Sequence, residues 1–147
     1  MTEAELQELT LDECLARLRA GSVGRIGVVV DDFPVVLPVN YRMVESAGPP
    51  WVAVRTRIGG VIHRGETPVA FEIDDIDPGR REGWSVLVRG TLHAVDSDAA
   101  DFRDRFDPEP WITDERDAWL VVASFSVTGR RLHRDAPEWT FEPRRYL

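Results

Sequence analysis

The sequence predicts a mainly β fold: a small antiparallel barrel of six strands, with one helix near the N-terminus and one before the last strand. Three observations lead there. Six extended runs are separated by short, turn-rich segments, which favours antiparallel neighbours. Only two segments carry a helix signal. There is no internal repeat or low-complexity stretch, and 147 residues is a single-domain length, so residues 1–147 read as one domain.

The elements follow in order. Residues 1–9 read as a loose lead-in. Thr10-Leu-Asp-Glu13 is a capping-box pattern that opens an amphipathic helix with Leu11, Cys14, Leu15 and Leu18 on one side, and Gly21 is placed to stop it. Val23–Val30 and Pro34–Tyr41 flank the turn-prone pair Asp31-Asp32 and make a hairpin. Met43–Pro50, with Gly48-Pro49-Pro50, is the next turn, and Trp51–Thr56 the third strand. Gly59–Gly65 is a short connection with room for one helical turn. Pro68–Asp74 is the fourth strand, Asp75–Gly83 a polar loop and Trp84–Val95 the fifth strand. A polar helix is expected from Asp96 to about Phe106, ended by Asp107-Pro-Glu-Pro110. Ala118–Val127 is the sixth strand, and residues 133–147 form a C-terminal tail.

Composition narrows the function classes. With 43% apolar and 30% charged residues the chain reads as globular. A net charge of −8 argues against nucleic acid as a partner. No run approaches the roughly 20 apolar residues of a membrane helix, and the acidic start lacks the order of a signal peptide, so no membrane partner and a cytoplasmic address are expected. Cys14 is the single cysteine, which leaves no intrachain disulfide. All 18 basic residues are arginine, so any phosphate site must use arginine and backbone amides. His63, His93 and His133 are scattered, and no metal site is expected. Nucleophile elbows, P-loops and zinc helices are absent from the sequence.

The strongest local signal is Trp51-Val-Ala-Val-Arg-Thr-Arg-Ile-Gly-Gly60. Arg55 and Thr56 end an alternating strand just before paired glycines. A guanidinium binds phosphate through charge-assisted hydrogen bonds, and glycines let backbone amides approach the same anion. A salt bridge from Arg55 to an acid on a neighbouring strand, with Glu72 the first candidate, is the alternative. Two further segments join it: Pro38-Val-Asn-Tyr41 at a strand end, and Gly83-Trp-Ser-Val-Leu-Val-Arg-Gly90 opening the fifth strand.

With Val69-Ala-Phe-Glu-Ile-Asp74 and Gly83-Trp-Ser-Val86, the order and spacing of these segments resemble the pyridoxamine phosphate oxidase-like superfamily of flavin-binding split barrels, in particular its small bacterial members. The resemblance runs from the capped helix to Val127-Thr-Gly-Arg-Arg-Leu132. It implies a six-stranded antiparallel split β-barrel that works as a homodimer, with two FMN molecules in grooves between the subunits. Pro38, Val39, Asn40 and Tyr41 then match the strand facing the flavin ring, with the tyrosine covering part of it. Arg55 and Thr56 match the strand bordering the ring and ribityl phosphate. Trp84 and Ser85 match the segment reaching in from the other subunit. Packing in the core or at an interface is the other reading for Tyr41 and Trp84.

The chain departs from the family pattern at one place. Where related sequences put a phosphate-holding lysine or arginine just past a glycine, this chain has Gly59, Gly60 and Val61. Arg57 or Arg64 is then expected to supply the charge from a shifted position. Losing one charge-assisted contact costs about 1.5–3 kcal/mol, so FMN binding is expected to be weaker than usual. Arg131-Leu-His133 resembles a substrate segment of the vitamin oxidases, but its surroundings differ, and a solvated strand extension is preferred.

The expected function is that of an FMN-dependent oxidoreductase moving a hydride between flavin and a small-molecule substrate. Tyr41 and His63 are the candidate proton donors. The alternatives are a deazaflavin-dependent reductase, a non-enzymatic flavin carrier, or a barrel that binds without a cofactor.

Overall fold

The computed structural model describes residues 4–45, 48–57, 59–62, 65–96, 99–112 and 118–134. Among the described residues seven strands and two helices follow in order: β1 (Ala4–Glu8), α1 (Leu11–Ala20), β2 (Val23–Val30), β3 (Phe33–Val44), β4 (Trp51–Thr56), β5 (Thr67–Asp77), β6 (Glu82–Ala94), α2 (Ala100–Arg105) and β7 (Ala118–Arg134). Every pairing is antiparallel. The strand order is β1-β7-β4-β3-β2-β5-β6, and β6 also pairs with β7. That last pairing closes β2 to β7 into a six-stranded ring, and β1 is added outside it along the far half of β7.

The described residues therefore hold seven strands, not six. The extra one falls in the expected lead-in: Ala4–Glu8 pairs with Arg130–Arg134. The sixth expected strand is correspondingly longer, since β7 continues past Val127 through His133 to Arg134. Residues 135–147, the rest of the expected tail, lie outside the described residues. The Asp75–Gly83 loop shrinks to four residues, because β5 runs to Asp77 and pairs with Glu82. The second helix is only Ala100–Arg105, shorter than expected. Of the Gly59–Gly65 connection, residues 59–62 form a turn with no helix, and residues 63 and 64 lie outside the described residues.

Local chemistry accounts for the boundaries. Thr10 accepts a hydrogen bond from the Glu13 amide at 3.2 Å and its own amide donates to Glu13 Oε2 at 2.9 Å, so α1 starts at a complete capping box. Asp31 and Asp32 both adopt positive φ, 50° and 63°, the requirement of a two-residue turn whose twist suits a hairpin. Val30 accordingly faces Phe33 directly.

The alternation along each strand sends one set of side chains into the ring. Ile26, Val52, Val54, Phe71, Val86, Val88, Leu92, Leu120 and Val122 form the core, and α1 closes it with Cys14 and Leu18. Helix and barrel touch closely where Gly129 sits: a Cβ there would stand 2.7 Å from Cys14 Sγ. A second, smaller apolar cluster lies outside the ring, where Phe102 and Phe106 near α2 pack on Val44, Ala53 and Val121. No described helix is long and apolar enough to cross a membrane.

Candidate functional site

Strand pairing leaves a gap between β3 and β4. Strand β4 pairs with β3 only over Tyr41–Val44, whereas β2 pairs with β3 over Phe33–Asn40. The Tyr41 amide donates to Ser22 O at 3.0 Å, so odd-numbered residues of β3 direct their backbone toward β2 and even-numbered ones away from it. Pro34 and Pro38 occupy the even positions, where a missing N–H breaks no ladder bond. The Pro38 carbonyl and the Asn40 amide thus lie along an edge with which no strand among the described residues pairs.

That edge borders a groove of about 760 Å³. Its walls are Pro38, Val39 and Asn40 from β3, Arg55 and Thr56 from the end of β4, Arg57, Gly60 and Val61 from the turn beyond, and Pro110, Trp111 and Ile112 from the loop after α2. The size lies within the range of small-ligand pockets. Gly60 is close-packed at this turn, since a Cβ would come 2.9 Å from Arg57 O. Gly59 supplies the positive φ, 74°, that turns the chain, and does not line the groove.

Asn40 and Arg55 each reach across to the loop after α2. Asn40 Oδ1 accepts the Trp111 amide at 2.9 Å. Arg55 Nη1 donates to Asp107 Oδ1 at 3.1 Å, and its guanidinium lies 4.9 Å from the Trp119 ring centre. With its side chain only 21% exposed, Arg55 needs such a counter-charge. The expected alternative partner, Glu72, is not the one used. Arg55 points out of the ring beneath the loop after α2, and Glu72 is approached by Arg25 at 3.6 Å instead.

Tyr41 is a correction to the sequence reading. It occupies an odd, inward position, is 2% exposed, and its hydroxyl donates to Leu18 O at 2.7 Å. Burial pushes its pKa up to about 12, so its side chain neither covers a ligand in the groove nor serves as a proton donor there. Its ring instead packs edge-on against Phe71 with centroids 4.8 Å apart.

Trp84 and Ser85 lie apart from the groove within one chain. Trp84 sits on β6 under Arg17, whose guanidinium is 4.4 Å from the ring centre, beside a hollow against α1. Both residues also line a small apolar hollow with Leu6, Ile76 and Leu132. Arg64 and His63 fall outside the described residues. No cluster of metal-ligating side chains occurs among the described residues. Sequence reasoning missed Trp111 and Asp107; the rigid Asp107-Pro-Glu-Pro110 segment ahead of a tryptophan was the available signal.

The comparisons with known proteins agree with this architecture. The family described as pyridoxamine 5'-phosphate oxidase matches residues 10–131. The chain belongs to that family. An uncharacterized protein of Mycobacterium tuberculosis is 31% identical over 139 residues, covering 90% of this chain and 89% of its own. Among solved structures, an FAD binding protein from Mycobacterium smegmatis is 29% identical with a TM-score of 0.63, covering 88% of this chain and 100% of its own. A protein of unknown function from Corynebacterium diphtheriae is also 29% identical, with a TM-score of 0.73 and coverage of 87% and 98%. Membership of the pyridoxamine 5'-phosphate oxidase family fits the closed ring with helical additions.

Proposed function

We propose that the chain binds a flavin nucleotide in the groove between β3 and the end of β4, and that it does so as a homodimer. The observation that carries this reading is the open β3 edge. A backbone acceptor at Pro38 and a backbone donor at Asn40 that meet no strand suit the polar rim of a flat heterocycle, and the apolar groove wall suits its faces. Thr56 and the Gly60-Val61 turn border the same space, and the exposed Arg57 offers a cation for a phosphate. The FAD binding protein from Mycobacterium smegmatis supports a flavin in general.

FMN is the first choice, because a single phosphate asks for no more positive charge than Arg57 and the turn amides offer. FAD is the second reading, favoured by that same relative. Trp84 and Ser85 would reach the groove from the second subunit, which accounts for their distance from it within one chain.

A bound flavin supplies hydride transfer. The residues of this chain would bind it, orient it and exclude water. Among the described groove-lining residues there is no carboxylate, histidine or cysteine, so the part these residues play is positioning. Acting as an oxidoreductase on a small molecule is the activity this favours.

Purification followed by release and chromatography of the bound chromophore tests the reading. FMN or FAD is expected. A colourless protein whose tryptophan fluorescence is unchanged by riboflavin, FMN and FAD refutes it, and a deazaflavin in the released fraction replaces the flavin assignment. Oxidation of a reduced pyridine nucleotide by the loaded protein separates an enzyme from a carrier.

A further inference from the structure

Two of the groove's polar side chains hold the same piece of chain. Arg55 and Asn40 grip the segment from Asp107 to Ile112 at both of its ends, through Asp107 at 3.1 Å and the Trp111 amide at 2.9 Å. Asp107 Oδ1 also accepts the Glu109 amide at 3.0 Å, and Glu109 adopts a φ of 50°. Pro108 and Pro110 fix the backbone between these anchors. The outcome is a short strut that brings Trp111 to the groove wall while leaving it 79% exposed. Fixing a large aromatic at a groove wall without burying it is the arrangement of a preformed stacking surface.

We propose that Trp111 is a ligand-stacking wall of this groove, and that Arg55 is a positioning residue, acting through Asp107 to hold that wall, and not a phosphate ligand. The inference rests on the flavin reading above and deepens it: recognition is directed at the planar ring and not at the phosphate. The guanidinium of Arg55 is already engaged on two sides, by the Asp107 carboxylate and by the Trp119 ring. A phosphate on the same guanidinium would compete with the carboxylate that keeps the strut in place. Arg57, one residue beyond Thr56, also lines the groove.

The test compares riboflavin, which has the ring without the phosphate, with FMN, in full-length protein followed by fluorescence titration. Trp111→Ala is expected to weaken both about tenfold, and Trp111→Phe to restore most of the loss. Arg55→Ala and Asp107→Ala are expected to weaken riboflavin and FMN by the same factor. The double variant is expected to be no weaker than either single one, because both act through one contact. Asp107→Asn, at a half-buried loop position, repeats the test should Arg55→Ala fail to fold. In the protein without ligand, hydrogen exchange at the Trp111 amide is expected to quicken in the Arg55 and Asp107 variants. Loss of FMN affinity with riboflavin unchanged in Arg55→Ala overturns the inference while leaving the flavin reading intact. Wild-type protein that binds neither compound overturns both.

Discussion

Glu72 occupies an outward position on β5, opposite Arg25 of β2 and beside Asp74. Arg25 is shared, lying 3.2 Å from Asp74 Oδ2 and 3.6 Å from Glu72 Oε2, and Glu72 Oε1 is buried without a hydrogen-bond partner. Burial, with Asp74 as a neighbouring acid, pushes Glu72 up to about 7 against the opposing pull of Arg25. Two carboxyls can share a hydrogen bond only while one keeps its proton. Because the folded value exceeds the ordinary value of roughly 4.3, the folded state holds the proton more tightly through that window. The stability it contributes is full below about pH 4 and is lost as pH rises through 7. Wild-type protein is therefore expected to lose melting temperature relative to Glu72→Gln between pH 5 and pH 8. An unchanged difference between the two proteins across that range would contradict this. A second residue-scale expectation concerns Tyr41: Tyr41→Phe removes the bond to Leu18 O and is expected to cost about 1 kcal/mol in denaturant unfolding. Flavin affinity should hold, and a large loss of affinity with normal stability would put the hydroxyl back in the site.

At the scale of elements, α1 depends on its cap. Thr10→Ala is expected to lower stability by about 1 kcal/mol, read as a shifted denaturant midpoint with an unchanged slope. An unaltered midpoint would mean that packing of Cys14 and Leu18 alone sets the helix start. This cap, the Asp31-Asp32 turn and the alternation of β4 were legible because each is fixed by neighbours in sequence. β1 was not. Ala4-Glu-Leu-Gln-Glu8 has little strand pattern of its own and is extended because β7 offers it a free edge. The ends of β5 and β6 were hidden for a similar reason: Asp74, Asp75 and Asp77 look like a turn until a facing strand pairs with them. In the groove, the β3 and β4 walls could be read because the hairpin joining them is short. Trp111 could not, since its place depends on Asn40, 71 residues away along the chain.

For the whole molecule, the outer face of β2, β3 and β6 leaves Val29, Val36 and Leu87 exposed around the Arg25, Glu72 and Asp74 cluster. A second copy covering such a face, with an interface on the order of 2,000 Å², accords with the proposed homodimer. Sedimentation is expected to show twice the 16.6 kDa chain mass, with Val36→Glu shifting the protein toward monomer. A wild-type chain that stays at 16.6 kDa at micromolar concentration refutes the dimer.

The ring is closed by β7, the last of the described strands in chain order. Strand β4 lacks one neighbour until β7 is made, β6 has one free side, and β1 has nothing at all to pair with. Cys14, near the start, waits for Gly129. Native contacts that join the two ends of a chain come late and slowly, because the long loop between them must be closed first. A nascent chain halted after Ala94 would thus carry a capped helix lacking the β7 part of its floor and a sheet with two raw edges, the form in which β proteins meet one another wrongly. For this protein the dangerous interval is the one before β7 is made, and β7 ends it.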